Sequence, residues 1–502
     1  MAFSSRDLTP SDLAQLAAVG IAPEVAAEHL TRLRHPPPPV TLVRAATTGD
    51  GIDHFPPTRQ EEITALLNLG DTAAAAGRVL TFVPASGAAS RMFKDLVSAW
   101  QSERAPSVIP AVREFFARLD EFPFVDELRQ RAGVTRHPAT AQEERLLLRT
   151  LLQDLRLAEL PKALVPFHRT DRIRTAFEEH LLESSRYGRD AHGTCRLHFT
   201  VPSDAHALFD DTLARLRPQI ETRRHGTTLA VTFSTQRPST DTLALDAEGA
   251  PFRDADGTLL LRPAGHGALL GNLQDCDADL VVIKNIDNVL PDGSSTEVVH
   301  WKRVLIGYLA HLQSAIFAHL RAITVPTPTP SALEAARTFA ATRFARVLPA
   351  DASASAIITA LHRPVRVCGV VRNEGEPGGA PFWVRDADGG AHLQIVEPAQ
   401  VDMTDPAQAQ IFRSATHFNP VDLVCGLRGY DGQTFDLASF VDPDTAFVTE
   451  KTAGGRALVA LERPGLWNGS MAGWNTTCVE VPASTFAPVK TVFDLLRPQH
   501  QP

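Results

Sequence analysis

The 502-residue chain has few cysteines and no arrangement of them that points to a framework. Cys195, Cys276, Cys368, Cys425 and Cys478 are scattered, odd in number and form no C-x-x-C pair. That argues against a disulfide scaffold or a structural zinc site and for a reducing, cytoplasmic setting. No apolar run approaches the ~20 residues that span a bilayer, so no membrane partner is expected. The opening stretch, MAFSSRDLTPSDLAQLAAVG, lacks a basic region followed by an apolar segment and a cleavage site, so no secretion signal is expected. There is no excess of positive charge: the formal net charge is -9, which argues against a protein that coats nucleic acid. Internal repeats and long low-complexity tracts are also missing.

What remains is an ordinary composition, 44% hydrophobic and 21% charged, in a chain long enough for two or three domains. Residues 1–77 read as a helical N-terminal region. TPSDLAQLAAVG has a Ser/Thr/Asp start and a glycine stop; APEVAAEHLTRLRH runs into the prolines Pro36 to Pro39; TRQEEITALLNLGDTAAAAG stops near Gly77. From residue 78 the pattern changes. RVLTFV (78–83), CRLHFTV (195–201), TTLAVTF (227–233) and ADLVVIKNI (278–286) are short, apolar and β-branched, and helical stretches separate several of them. This alternation predicts an α/β fold with a mostly parallel sheet covered by helices on both faces. A charged helical segment at about 98–158 reads as an insertion into a core of residues 78–330. VPTPTPS (325–331) is a turn or linker, and residues 331–502 continue through a helix into strand-rich sequence.

Several segments could carry chemistry. FVPASGAASRMFKDL (82–96) sends a strand into small residues and then Arg91 and Lys94, with a helix expected from about Ser90. A helix N-terminus after a small-residue loop favours anions, although the stretch lacks both the Gly-Lys-Ser/Thr of a P-loop and the three glycines of a dinucleotide fingerprint. It reads equally as a tight strand–helix turn with surface charges. Lys162 in LPKALVPFH reads alone as a loop lysine. Gln236, just past a strand end, offers a paired donor and acceptor to a base edge, or serves a polar turn. Gly265-His266-Gly267 lets backbone pass close to a ligand, or surrounds a structural histidine. Asp287, ending the buried run ADLVVIKNIDN, suits Mg²⁺, which takes one or two carboxylates and completes its shell with water and phosphate oxygens. It also fits a strand-ending turn.

The order of these segments resembles the nucleotidyltransferases that make nucleotide sugars, the UDP-sugar pyrophosphorylases. SGAASRMFK and PKALVP resemble the two halves of their signature, separated by the helical insertion. FSTQ…P is similar to their F-x-Q segment, PAGHGALL to P-G-H-G-D, NIDN to N-x-D-N, LQIVEPAQVD to L-L-E-x-A-Q-V-P and FAPVKTVFDLL to F-x-P-V-K-x-x-x-D-L. The whole chain, from ATTGDGI to GLWNGSMAGWNTTCVEVP, resembles still more a bacterial family described as a domain of unknown function.

The resemblance implies a Rossmann-like, GT-A-like nucleotidyltransferase sheet and a Mg²⁺-dependent reaction. A nucleoside triphosphate, UTP in this reading, and a sugar 1-phosphate would yield a nucleotide sugar and pyrophosphate. It implies that the backbone of Ser86, Gly87, Ala88 and Ala89, with Arg91, holds nucleotide phosphates. Lys162 and Lys490 would meet phosphates, Gln236 would read the base, and Gly265 and His266 would line the nucleotide site. Asp287 would hold Mg²⁺ and Glu397 would reach sugar hydroxyls. Trp467 and Asn468, an aromatic beside an amide, are sugar-pocket candidates, with Asn475 nearby in sequence. Three features depart from the pattern: the first loop has one glycine, Ala268 stands where Asp follows Gly-His-Gly, and the C-terminal β-rich domain of many relatives is expected to be absent. A glycosyltransferase of the same fold, or a non-catalytic nucleotide-sugar binder, are the alternative readings.

Overall fold

Thr9 opens the first helix, Pro10–Val19, with a reciprocal capping box. Its side chain accepts from Asp12 N–H, while the Asp12 carboxylate accepts from Thr9 N–H. Gly20, at φ 80°, closes it in the left-handed conformation that glycine adopts most freely. In this computed structural model, which describes residues 8–102, 105–375, 378–386 and 389–501, the helix Pro23–Arg34 follows and stops before the proline run.

The N-terminal region is not wholly helical. Leu42–Ala45, Thr47–Thr48 and Gly51–Asp53 are strands, and the next helix is Gln60–Ala75. Strands of two to four residues are too short for a period-two pattern to show, so nothing in the sequence signals them.

The four expected core strands form within a residue or two of their predicted bounds, as Val79–Pro84, Thr194–Thr200, Thr228–Ser234 and Leu280–Lys284. The first three pair in parallel, with Phe82 opposite His198 and Leu197 opposite Val231. Farther along, Val365–Arg372 pairs in parallel with Asn475–Glu480 and antiparallel with His417–Gly426. The fold is therefore α/β, with a large, mostly parallel sheet. Among the described residues no helix is long and apolar enough to cross a membrane.

The chain divides into two compact units, each assembled from three separated stretches. The first comprises Met1–Leu69, Gln236–Val282 and Leu305–Val481; the second comprises Gly70–Thr235, Ile283–Val304 and Pro482–Pro502. In the second unit the inserted segment is helical as expected: Pro110–Ala117, Val125–Ala132 and Ala141–Arg149, the last ending in a π-helical turn, Thr150–Asp154. Its aromatic residues fill a core. Phe115 and Phe122 lie 4.9 Å apart, Phe122 and Phe124 5.4 Å, and all three are buried. Val489, Val492 and Leu495 from the C-terminal stretch join the same cluster. Each buried side chain of this size contributes about 1.5–3 kcal/mol, so the insertion helps to seat the segment that carries Lys490.

Candidate functional site

Four stretches far apart in sequence are stitched together inside the second unit. The loop after Val79–Pro84 pairs with the Pro-Lys segment: Ala89 N–H donates to Leu160 O (3.0 Å), Lys162 N–H donates to Gly87 O (3.0 Å), and Ala88 bridges Pro161. The stretch after Leu280–Lys284 pairs with the C-terminal one. Val489 N–H donates to Asp287 O (3.0 Å), Ala487 N–H donates to Asn288 Oδ1 (3.0 Å), and Asn288 bridges Pro488. Val492 N–H donates to Met92 O (3.0 Å), tying the C-terminal stretch to the first loop. Lys162 and Asp287, 125 residues apart, are thus brought together on a frame of backbone pairing.

At the meeting point Lys162 Nζ lies 2.8 Å and Lys490 Nζ 2.9 Å from the same oxygen, Asp287 Oδ2. Burial alone would raise the Asp287 pKa. The charges of Lys162 and then Lys490, with their hydrogen bonds, outweigh it and hold the carboxyl below its ordinary 3.8. Lys162 is pushed below its ordinary value by burial, a shift that Asp287 opposes and Lys490 reinforces. Its side chain is 14% exposed, whereas that of Lys490 is 61% exposed. Lys162 is therefore a fixed charge and Lys490 one with freedom to reach outward. Each ammonium has three donors, so each keeps donor capacity beyond its bond to Asp287.

Asp494 holds the Lys490 backbone, a role that the sequence motifs alone do not assign. Its Oδ2 accepts from Lys490 N–H (2.8 Å) and Thr491 N–H (2.7 Å), completing a capping box for Val492–Leu496. A signal for it exists, since this is the aspartate of the F-x-P-V-K-x-x-x-D-L match.

A second support carries no motif at all. His500 Nε2–H donates to Ala487 O (3.0 Å), so His500 Nδ1 is the acceptor for His168 Nε2–H (2.8 Å). His168 Nδ1 then accepts from Glu179 (3.1 Å), which requires a protonated carboxyl. Burial pushes Glu179 up to about 8 and His168 down to about 3, consistent with a neutral acid and a neutral imidazole. This series of bonds terminates at Ala487, three residues before Lys490. A buried ion pair, Lys284 with Glu183, lies in the strand and helix that precede and flank Asp287, and His180 Nε2–H donates to Ile286 O (3.1 Å).

The anion cradle differs from expectation. The regular helix begins at Lys94, not Ser90, after a 3-10 turn at Ala89–Arg91. Ala89 N–H is already bonded to Leu160 O and is not free for phosphate. Among the described residues Ser86, Gly87 and Ala88 N–H make no backbone hydrogen bond, and a Cβ at Gly87 would meet nothing within 4 Å, so this part of the loop is open to a ligand. Arg91 and Lys94 are exposed.

Mg²⁺ can be tested against these donors. Asp287 Oδ1 is buried and has no hydrogen-bond partner among the described residues, an acceptor waiting for a cation or donor. Among the described residues no cluster of three or more His, Cys, Asp or Glu side chains could hold a metal by itself. One carboxylate oxygen suits Mg²⁺ that brings phosphate oxygens and water as its other ligands.

The remaining expected residues belong to the first unit, where most of them gather. The His266 ring stacks on Trp467 at 3.9 Å and 6°, its Nδ1 accepts from Leu466 N–H (2.8 Å), and its Nε2 is 3.8 Å from Glu397 Oε1. Close approach of backbone makes this possible. A Cβ at Gly267 would come within 2.0 Å of Pro464 O, and one at Gly465 within 2.5 Å of His266 Cε1. Gly265 sits at φ 76°. Trp467 is 9% exposed, and Arg366 Nη1 donates to its carbonyl (2.7 Å). Asn468 is buried, one Nδ2–H donates to Ile395 O (3.0 Å), and its Oδ1 has no hydrogen-bond partner among the described residues. Asn475 Nδ2–H likewise donates to Ala360 O (3.2 Å). Gln236 lies apart from the stack in its bonding: its Nε2–H donates to Asp241 (3.1 Å).

Solved structures similar to this chain include nucleotide-sugar pyrophosphorylases. The uridine diphosphate N-acetylglucosamine pyrophosphorylase from Trypanosoma brucei is 13% identical, with a TM-score of 0.49, over 98% of this chain and 82% of that one. A mutant UDP-glucose pyrophosphorylase from Leishmania major, in complex with UDP-glucose, is 13% identical, with a TM-score of 0.45, over 99% and 79%. A protein from Entamoeba histolytica described as a putative UDP-N-acetylglucosamine pyrophosphorylase is 10% identical, with a TM-score of 0.43, over 86% and 80%. No curated protein matches. At this degree of likeness the functional reading rests on the site itself. A family model matches residues 9–501, and the chain belongs to that family, described as Domain of unknown function (DUF4301).

Proposed function

We propose that the protein is a nucleotidyltransferase that joins a nucleoside triphosphate to a sugar 1-phosphate and releases pyrophosphate. One observation carries the reading: Lys162 and Lys490, from separate stretches of the second unit, share one buried oxygen of Asp287. They do so beside a loop whose Ser86, Gly87 and Ala88 amides make no backbone hydrogen bond among the described residues. Two ammoniums, these three amides and a cation-seeking carboxylate oxygen form a receptor for phosphate groups.

In the reaction an oxygen of the sugar 1-phosphate attacks the α-phosphorus of the triphosphate, and the bond from that phosphorus to the bridging oxygen breaks. No covalent enzyme intermediate is needed. The protein aligns two anions, which at best supplies ~7–11 kcal/mol, and neutralises their mutual repulsion. The amides of residues 86–88 and the exposed Arg91 hold the triphosphate. Lys162, fixed by Asp287, donates to the phosphate at the reacting centre. Lys490, its backbone held by Asp494 and its ammonium on Asp287 but largely exposed, follows the incoming or departing phosphate. Mg²⁺ bound at Asp287 with phosphate oxygens would supply further charge neutralisation. In this reading Gln236 selects the base, taken as uracil, and the His266–Trp467–Glu397 cluster contributes to recognition of the nucleotide sugar.

The test is a screen for pyrophosphate release across nucleoside triphosphates and sugar 1-phosphates with Mg²⁺. One productive pair is expected. Transfer of sugar from a nucleotide sugar to an acceptor, with no pyrophosphate released by any pair, would overturn the reading in favour of a glycosyltransferase.

A further inference from the structure

One carboxyl group in the second unit holds both of the stretches that meet at Asp287. Glu179 lies in the helix Ala176–Ser184 and is buried. Its Oε2 accepts from Asp292 N–H (3.0 Å), five residues past Asp287. Its Oε1 faces His168 Nδ1 (3.1 Å), and the series runs on through His500 (2.8 Å) to the carbonyl of Ala487 (3.0 Å), three residues before Lys490. The peptide bond from Ala487 to Pro488 has no N–H, so this carbonyl is its one hydrogen-bonding group, and His500 takes it. Other side chains of the same helix secure the Asp287 side: His180 bonds Ile286 O, and Glu183 pairs with Lys284.

The series has three links and needs three protons, one each from Glu179, His168 and His500. With one proton gone, one link is lost wherever the gap settles. If the gap stays at Glu179, a carboxylate oxygen faces the lone pair of His168 Nδ1. If both rings pass their protons towards Glu179, His500 Nε2 turns a lone pair on Ala487 O, and two acceptors repel at the end that holds the Lys490 stretch. Glu179 is the group that yields first. Burial pushes it up to about 8; the charge of Arg174, 3.8 Å from Oε1, opposes this, and those of Asp292 and Glu183 add to it. Asp292 is itself paired with Arg223 and Arg224, and Glu183 with Lys284. Burial holds His168 down to about 3, helped by Arg174, and His500 down to about 4, with Asp494 and Arg497 as its further charged neighbours.

We propose that Glu179 is a positioning residue for Lys490, and that loss of its one shared proton to solvent breaks the series and slackens the stretch that carries Lys490. Glu179 itself touches no substrate. The effect on turnover rests on the nucleotidyltransferase reading; the effect on the Lys490 stretch does not. The isosteric amide isolates the proton. Glu179→Gln puts an NH2 group where Oε1 meets His168 Nδ1 and a carbonyl oxygen where Oε2 meets Asp292 N–H. Both bonds persist, and only the titration is removed.

The test follows amide hydrogen exchange of residues 487–491 in the full-length protein from pH 7 to 9, corrected for the intrinsic rise of exchange with pH. The N–H groups of Ala487, Val489, Lys490 and Thr491 are all bonded and report on the stretch. Wild-type protection is expected to fall about three- to tenfold, the equilibrium effect of one hydrogen bond. Glu179→Gln is expected to keep its pH 7 protection up to pH 9. Constant protection in the wild type, or an equal fall in Glu179→Gln, would overturn the proposal, and the wild-type titration needs no variant to fold. His500→Phe keeps a ring against His168 but has no donor for Ala487 O; it is expected to show the lower protection already at pH 7. Pyrophosphate release is measured in parallel. Its KM should rise by a similar factor in the wild type alone, and the same alkaline rise in Glu179→Gln would overturn the positioning role. No pyrophosphate release at any pH, with the exchange pattern as expected, would refute only the catalytic reading.

Discussion

Replacing Lys162 with methionine separates the chemistry of the Asp287 cluster from its contribution to folding. The side chain is largely buried, and its ammonium supplies one of two bonds to Asp287 Oδ2. A charge-assisted bond of this kind contributes about 1.5–3 kcal/mol, but the wild-type protein also bears the cost of burying the ammonium, which lowers the Lys162 pKa. Methionine removes both, and Lys490 remains on the carboxylate. Stability is therefore expected to fall by less than about 2 kcal/mol. Turnover is expected to fall at least ~100-fold, the effect of losing one electrostatic stabiliser of a transition state, equivalent to ~2.7 kcal/mol of barrier. Urea denaturation and pyrophosphate release measured on the same preparation check the two numbers. Near-normal turnover in a folded Lys162→Met protein would refute the assignment. A collapse of stability larger than the catalytic loss would make Lys162 a structural residue.

Asp494→Asn weakens the acceptor for Lys490 and Thr491 N–H; we expect a loss of about 1 kcal/mol of stability and a smaller fall in kcat than Lys490→Met causes, read from denaturation and steady-state kinetics. Glu179, held protonated with its pKa pushed up to about 8 from 4.5, stabilises the fold fully below pH 4.5, and that stabilisation is lost as pH rises through 8. His168, held neutral with its pKa pushed down to about 3 from 6.5, loses its stabilisation as pH falls from 6.5 towards 3. The two slopes oppose each other between pH 4.5 and 6.5, but burial also pushes His500 and His29 down to about 4 and His180 down to about 3, so melting temperature should rise with pH up to 6.5 and decline from 6.5 to 8. Glu179→Gln should abolish the alkaline decline. Gly267→Ala should destabilise by about 1–3 kcal/mol or more, because its Cβ would overlap Pro464 O; an unchanged urea midpoint would contradict that packing. Trp467→Ala should raise the KM for sugar 1-phosphate, and an unchanged KM counts against the His266–Trp467 cluster as a sugar contact.

Fold and site are legible in the sequence where side-chain chemistry and periodicity coincide. Val79–Pro84 and Leu280–Lys284 are wholly or almost wholly buried, so their apolar runs are conspicuous, and polar turns mark their ends. Lys162 and Lys490 look like ordinary loop lysines one at a time. Only the order of the segments joins them, since backbone pairing such as Ala88 with Pro161 leaves no local mark. The short strands at residues 42–53 stay hidden for want of length. The Glu179–His168–His500 series stays hidden because a buried proton-sharing set has no characteristic spacing. The bond from Asn468 Nδ2–H to Ile395 O is likewise invisible in the sequence, because an amide beside an aromatic carries no mark of the backbone it holds.

The central claim is that the Asp287 cluster moves a nucleotidyl group between phosphates. The most direct measurement is exchange: radiolabelled pyrophosphate is incubated with the protein, Mg²⁺ and a nucleotide sugar, and label is followed into nucleoside triphosphate. The account predicts incorporation that depends on Lys162 and Asp287. Sugar transfer or simple hydrolysis of the nucleotide sugar, with no label in triphosphate for any nucleotide sugar supplied, would contradict it.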